Sequence, residues 1–155
     1  MKKMNFSSHK EATFDEKGRV VLPADYKNEM GGSVPGGQLA VEKDPHEKCL
    51  NIYTMDEWEK RIVQVTSKLN RDNRQHSRIL DIFYSNFKII QVPESCRMNV
   101  PNNFLERVGI TKDVMFTGQG NRIRLWDADE YRRYSQTWED YASLFDRYVG
   151  GNEEI

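Results

Sequence analysis

Two arginines stand where a guanidinium can do recognition chemistry. Arg19 lies in Asp15-Glu16-Lys17-Gly18-Arg19-Val20-Val21-Leu22-Pro23, and Arg97 in Cys96-Arg97-Met98-Asn99-Val100-Pro101. Both precede a proline by four residues, and the two segments are offset by 78. A guanidinium presents a planar fork of donors that matches guanine O6/N7 or a phosphate. Lys17 adds a point charge for a phosphate. Gly18, between the two cations, keeps the turn compact and free to take positive φ. Asp15, four residues before Arg19, can fold back and hold the guanidinium in one rotamer. The same spacing also fits a plain surface ion pair, worth about 0–1 kcal/mol.

Other chemistry finds less support. There is no H-E-x-x-H, G-x-S-x-G or G-x-x-x-x-G-K-[ST] segment. The glycines of 31–37 lack the Lys-Ser/Thr pair that grips a nucleotide and read as a flexible loop. His9, His46 and His76 have no ligand partner at i, i+4. His46-x-x-Cys49 lacks the second pair that a tetrahedral metal site needs. The carboxylate pairs Asp15-Glu16 and Glu139-Asp140 abut polar or cationic residues, not the apolar surroundings that raise a pKa. The expectation is a protein with no catalytic residues, metal, cofactor or small-molecule substrate.

The elements that hold the two arginines occur twice. Leu50-Asn51-Ile52-Tyr53-Thr54-Met55-Asp56-Glu57-Trp58 matches Ile123-Arg124-Leu125-Trp126-Asp127-Ala128-Asp129-Glu130-Tyr131 at an offset of 73. The difference between the two offsets falls in the glycine-rich loop and the 43–48 turn, where length changes are tolerated. Each copy reads β-β-α-β-β. In the first, strands at 12–14 and 19–22 flank a turn, Pro23 opens a short helix that Gly31 ends, and 38–43 and 49–53 form a hairpin. In the second, strands at 88–92 and 97–100 precede a helix from Pro101 to Gly109, and 114–117 and 122–126 form the hairpin. Arg122 and Arg124 alternate with Ile123 and Leu125. That alternation places the arginines on a solvent-facing strand surface or in ion pairs between subunits.

Longer helices close each copy. Thr54-x-x-Glu57 and Asp127-x-x-Glu130 have the form of capping boxes. Trp58, Ile62, Val65 and Leu69 form an apolar stripe of helical period, which Ile79, Ile82, Phe83 and Phe87 continue. Tyr131, Tyr134, Trp138, Tyr141 and Phe145 form an aromatic stripe. The expected organisation is a first repeat at 10–56, linking helices at 57–86, a second repeat at 87–129, a C-terminal helix at 130–150 and a frayed tail at 151–155. One copy cannot bury both faces of four short strands, so the two are expected to interleave into one small barrel around a shared core.

Composition is compatible with this. The 155 residues are 37% hydrophobic and 30% charged, and the longest apolar runs are far short of a membrane span. The basic opening lacks the apolar region of an export signal. Cys49 and Cys96 belong to no C-x-x-C pair and read as buried free thiols of a reducing compartment. The net charge is −1, but the charges are segregated. Lys60, Arg61, Lys68, Arg71, Arg74 and Arg78 face only Asp72 in 60–78, whereas 127–155 is strongly acidic. Such a field can steer a polyanion to one face, or simply mark two solvated helices of opposite sign.

The Asp15–Pro23 segment, the block Gly118-x-Gly120-Asn121-Arg122-Ile123-x-Leu125-Trp126-Asp127 and the repeat spacing resemble the MraZ family over about residues 10–135. The resemblance implies a mainly β (α+β) fold with peripheral helices, an AbrB-like double-psi/swapped-hairpin barrel built from the two repeats. It implies a homo-oligomeric ring, octameric in the family. It further implies binding to double-stranded DNA at direct repeats upstream of the protein's own division and cell-wall operon, as a repressor on the cytoplasmic nucleoid, with no membrane association. Asp15, Lys17, Gly18, Arg19 and Arg97 are then the DNA-binding residues. The second loop departs from the family pattern, with Pro93 and Cys96 in the places of Asp and Gly; Glu94 is the candidate replacement for the acid. Two alternatives stand beside this reading: a protein-binding module using the aromatic C-terminal stripe, and an antitoxin-type AbrB-like regulator.

Overall fold

The computed structural model of the chain describes residues 3–150; the tail expected at 151–155 lies outside them. The first copy supplies β1 (His9–Thr13), β2 (Arg19–Val21), α1 (Ala24–Glu29), β3 (Gln38–Lys43) and β4 (Leu50–Thr54). Two helices follow, α2 (Met55–Thr66) and α3 (Arg74–Ser85). The second copy supplies β5 (Phe87–Gln91), β6 (Arg97–Asn99), α4 (Asn102–Arg107), β7 (Asp113–Gly118) and β8 (Ile123–Asp127), then α5 (Ala128–Ser135) and α6 (Tyr141–Tyr148).

The copies do interleave, through an exchange of strands. Six strands form an antiparallel sheet in the order β1-β7-β8-β4-β3-β5, and β2 pairs with β6 as a separate ribbon. Swapping each strand for its counterpart in the other copy reproduces the same order read backwards. The first strand of each copy therefore pairs with the other copy's hairpin: β1 with β7 and β5 with β3. The expected closed barrel is not formed. The sheet ends at β1 and β5, because β2 and β6 are three residues long and too short to bridge its edges. Pro23 and Pro101, which lack an N–H, follow soon after each.

Strand alternation assigns each face. Leu39, Val41, Leu50, Ile52, Ile123 and Leu125 point to one side, against Val20 and Met98 of the ribbon and Tyr26, Phe104 and Leu105 of the short helices. The opposite side of the first copy's half packs Ala40 and Tyr53 against Trp58 and Phe83, with Ile62, Val65 and Phe87 around them. Both caps form. Thr54 Oγ1 accepts from the Glu57 N–H at 3.4 Å, and Asp127 Oδ2 accepts from the Asp129 and Glu130 N–H groups at 3.1 Å each.

Two helical expectations change. Ile79 and Ile82, expected to continue the apolar stripe, lie 46% and 52% exposed on α3, so only Phe83 of that helix carries the stripe into the core. The C-terminal helix is broken after Ser135, with a single 3-10 turn at Trp138–Asp140 before α6. The hydroxyls of Ser135 and Thr137 donate to the carbonyls of Arg132 and Tyr134, a local alternative that competes with helix continuation.

Candidate nucleic-acid interface

The β2–β6 ribbon joins the two arginine segments edge to edge. Val20 sits opposite Met98, and both face the core. Arg19 pairs with Asn99 and Val21 with Arg97, so these four side chains share the outward face. Val21 is 46% exposed despite being apolar. Sequence reasoning missed Val21 and Asn99, although the period-two alternation around Val20 and Met98 carried the signal.

Asp15 organises the tip. Its Oδ1 accepts the N–H groups of Lys17 and Arg19 at 2.9 Å each, and Oδ2 receives Arg19 Nε at 3.1 Å and Nη2 at 3.0 Å. The hydrogen bond from the Arg19 backbone is the leading reason the Asp15 carboxyl is held below its ordinary value, against a weaker desolvation effect. Arg97 Nη1 approaches the same Oδ2 at 3.7 Å. The acid facing Arg97 is thus Asp15 from the other copy, not Glu94. One carboxylate holds the Arg19 guanidinium by hydrogen bonds and lies within ion-pair range of Arg97, while Lys17 stays exposed at the tip.

The backbone of the second loop keeps the shape of the first despite its altered sequence. Gly18 has φ 78° and its N–H donates to Asp15 O at 3.1 Å. Cys96 has φ 60° and its N–H donates to Pro93 O at 2.8 Å. A non-glycine residue in this region costs roughly 1–2 kcal/mol. The Cys96 side chain is buried in the core, which offsets that cost. The first loop also closes with Asp15 N–H donating to Arg19 O at 2.8 Å, a bond Pro93 has no N–H to make.

Arg122 and Arg124 lie on the face opposite Ile123 and Leu125, but not in solvent. Arg124 is 6% exposed and reaches Asp44 Oδ1 at 3.1 Å; Arg122 is 3.9 Å from the same oxygen and donates to Tyr53 Oη at 3.1 Å. The 44–49 turn that supplies Asp44 folds over this face. Burial works to raise the Asp44 pKa, but hydrogen bonds from Asn51, Glu47 and His46, with the Arg124 charge, bring it below the ordinary value. These arginines belong to the frame of the molecule. Cys49 and Cys96 are both buried and free, and burial pushes the Cys49 thiol up to about 12. Among the described residues no three His, Cys, Asp or Glu side chains converge as metal ligands, and no helix is long and apolar enough to cross a membrane.

The doubled sequence is matched in known proteins. A family model described as "MraZ protein, putative antitoxin-like" matches residues 6–82 and 90–148, one segment for each copy with its closing helices. A protein of Phocaeicola vulgatus named "Transcriptional regulator MraZ" is 29% identical over 152 residues, 98% of each chain. Proteins of the same name from Bacteroides fragilis and Photorhabdus laumondii are 32% and 30% identical. The first match covers 79% of this chain and 77% of the relative, the second 89% and 88%. With both copies matched in order and most of its length covered, the chain is a member of the MraZ family.

Proposed function

We propose that the protein is a sequence-specific DNA-binding transcriptional regulator and that the outward face of the β2–β6 ribbon is its reading surface. The observation that carries this is the placement of Arg19 and Arg97 on one exposed ribbon, with Asp15 hydrogen-bonded to the first and within ion-pair range of the second. A two-stranded ribbon fits the major groove of B-DNA, where arginine reads guanine. Lys17 serves a phosphate, and Gly18 permits the turn that displays it. The names of the relatives support a regulatory role.

One ribbon is smaller than the interface that specific DNA affinity usually requires. Multiplication by symmetry answers this, and we infer a homo-oligomeric ring, of eight chains as the family resemblance implies, that engages direct repeats through several ribbons at once. Two unlike surfaces favour a head-to-tail contact, the kind that closes into rings. One is the basic α2–α3 side, where Val63, Ile79 and Ile82 are exposed; the other is the acidic C-terminal end, where Tyr141, Leu144, Phe145 and Tyr148 are exposed. The exchange of strands between copies fits two AbrB-like swapped-hairpin modules at 10–56 and 87–129. Repression of the protein's own division and cell-wall operon, on the cytoplasmic nucleoid, completes the reading.

The test is a footprint on the DNA upstream of the protein's own gene, with affinity titrated against salt. The expected slope of log K against log salt is about −0.9 per phosphate neutralised. Arg19→Ala is expected to abolish preference for that DNA while sedimentation shows the oligomer unchanged. No preference over random DNA would instead favour a partner protein or toxin bound at the exposed aromatic C-terminal end.

A further inference from the structure

At one buried point the two copies differ in charge. In the first, the Glu42 carboxylate accepts from Tyr53 Oη at 3.1 Å, from Asn51 Nδ2 at 3.3 Å and from Arg61 Nη2 at 2.9 Å. Strand register identifies the counterparts. Glu42 pairs with Asn51 across β3–β4 as Thr117 pairs with Arg124 across β7–β8, and Ala40 pairs with Tyr53 as Met115 pairs with Trp126. Arg61 corresponds to Tyr134 at the same offset of 73. The second copy thus keeps a ring of donors, Arg124, Trp126 and Tyr134, but has Thr117 where the carboxylate stood.

Two of these donors are unpaired. Trp126 Nε1 and Arg124 Nε are both buried and neither has a hydrogen-bond acceptor; Trp58 Nε1, outside this cluster, is also unpaired. Trp126 is 1% exposed and Arg124 6% exposed. Both residues line a cavity of about 120 Å³, with Thr117, Tyr134, His9 and Trp138 around it. The Arg124 guanidinium lies 5.3 Å from the centre of the Trp126 ring, which holds it at the cavity wall. Arg122 and Arg124 share the single carboxylate of Asp44, so the arginine side carries surplus positive charge. A buried donor without an acceptor costs about 1–3 kcal/mol. A water in the cavity would accept a hydrogen bond but bring no charge.

We propose that this cavity binds the carboxylate group of a small molecule, which takes the place that Glu42 fills in the first copy. The size of the cavity limits the buried part to the carboxylate and a short stub, and the aromatic walls suit an apolar stub. The site lies on the helix-covered face of the sheet, opposite the core that the ribbon packs against, and the proposal does not depend on DNA binding.

The test uses the full-length protein carrying fluorotryptophan, followed by fluorine NMR, with the Trp126 and Trp138 signals assigned by Trp126→Phe and Trp138→Phe and the third signal belonging to Trp58. Sodium acetate is titrated against sodium chloride at matched ionic strength, and inorganic phosphate is titrated separately. The expected result is a saturable shift of the Trp126 signal with acetate, no shift of the Trp58 signal, and no response to chloride. Thr117→Glu restores an internal carboxylate and is expected to weaken the acetate response about tenfold or more. Absence of a saturable shift in the wild-type protein overturns the proposal whether or not the variant folds. A response to phosphate but not acetate overturns the ligand class. A response unchanged in a folded Thr117→Glu protein overturns the placement.

Discussion

Gly18 and Cys96 meet one backbone requirement with different residues. Both stand immediately before a ribbon arginine, with φ of 78° and 60°. At Gly18 an added Cβ would meet nothing within 4 Å, so substitution there carries a conformational cost alone. Gly18→Ala is expected to lower stability by about 1–2 kcal/mol, read as a shift in urea midpoint at unchanged slope. The converse case is Gly118, where a Cβ would strike the Ser7 backbone. Spacing alone made Asp15 and Arg19 legible as a unit, because an i, i+4 carboxylate and guanidinium in a tight turn have few other partners. It did not reveal that Arg97 leans on the same carboxylate, since that contact joins residues 82 positions apart in sequence. Glu94 was the nearer acid, and nearness in sequence misled.

Among the elements, the caps were the most readable. Asp127 holds two amides at the start of α5, and Asp127→Ala is expected to cost about 1 kcal/mol, visible as a lower thermal midpoint by circular dichroism. The equivalent cap at α2 is backed by Trp58, 1% exposed and stacked on Phe83 at 5.7 Å. Trp58→Ala is expected to cost about 3–5 kcal/mol and to release α3 from the sheet, measured by hydrogen exchange of the α3 amides. The break after Ser135 was not legible, because the aromatic stripe keeps helical spacing across it. Periodicity records which residues want burial; it is silent on hydroxyls that bond back to the chain. The exposure of Ile79 and Ile82 had the same origin, since apolar spacing cannot say whether the surface it meets lies in this chain.

At the scale of the whole molecule, duplication and interleaving were legible in the sequence and the partner of each strand was not. Hydrophobic alternation is the same whether β1 pairs with β2 or with β7. Nor did it show that Arg122 and Arg124 are roofed by the turn that carries Asp44. That buried cluster gives the molecule an acid limit. Because the Asp44 pKa is lowered on folding, its contribution is complete above the unfolded carboxylate value near 4 and is lost as pH falls through the lower folded value. The thermal midpoint is expected to hold level from neutrality to about pH 4 and then to drop. Asp44→Asn is expected to remove the part of that drop due to this group and to cost about 3–5 kcal/mol at neutral pH, since it leaves Arg124 buried without its counter-charge.

The backwards-reading strand order has a further consequence. Neither half of the polypeptide is a self-sufficient unit: severed between α2 and α3, the N-terminal piece forfeits the mates of β1 and β2, and the C-terminal piece those of β5 and β6. Each fragment is the other's missing template. Co-produced as separate peptides they should reassemble, and a half produced alone should seek a second copy of itself, rebuilding as a pair the symmetry that one chain now encloses.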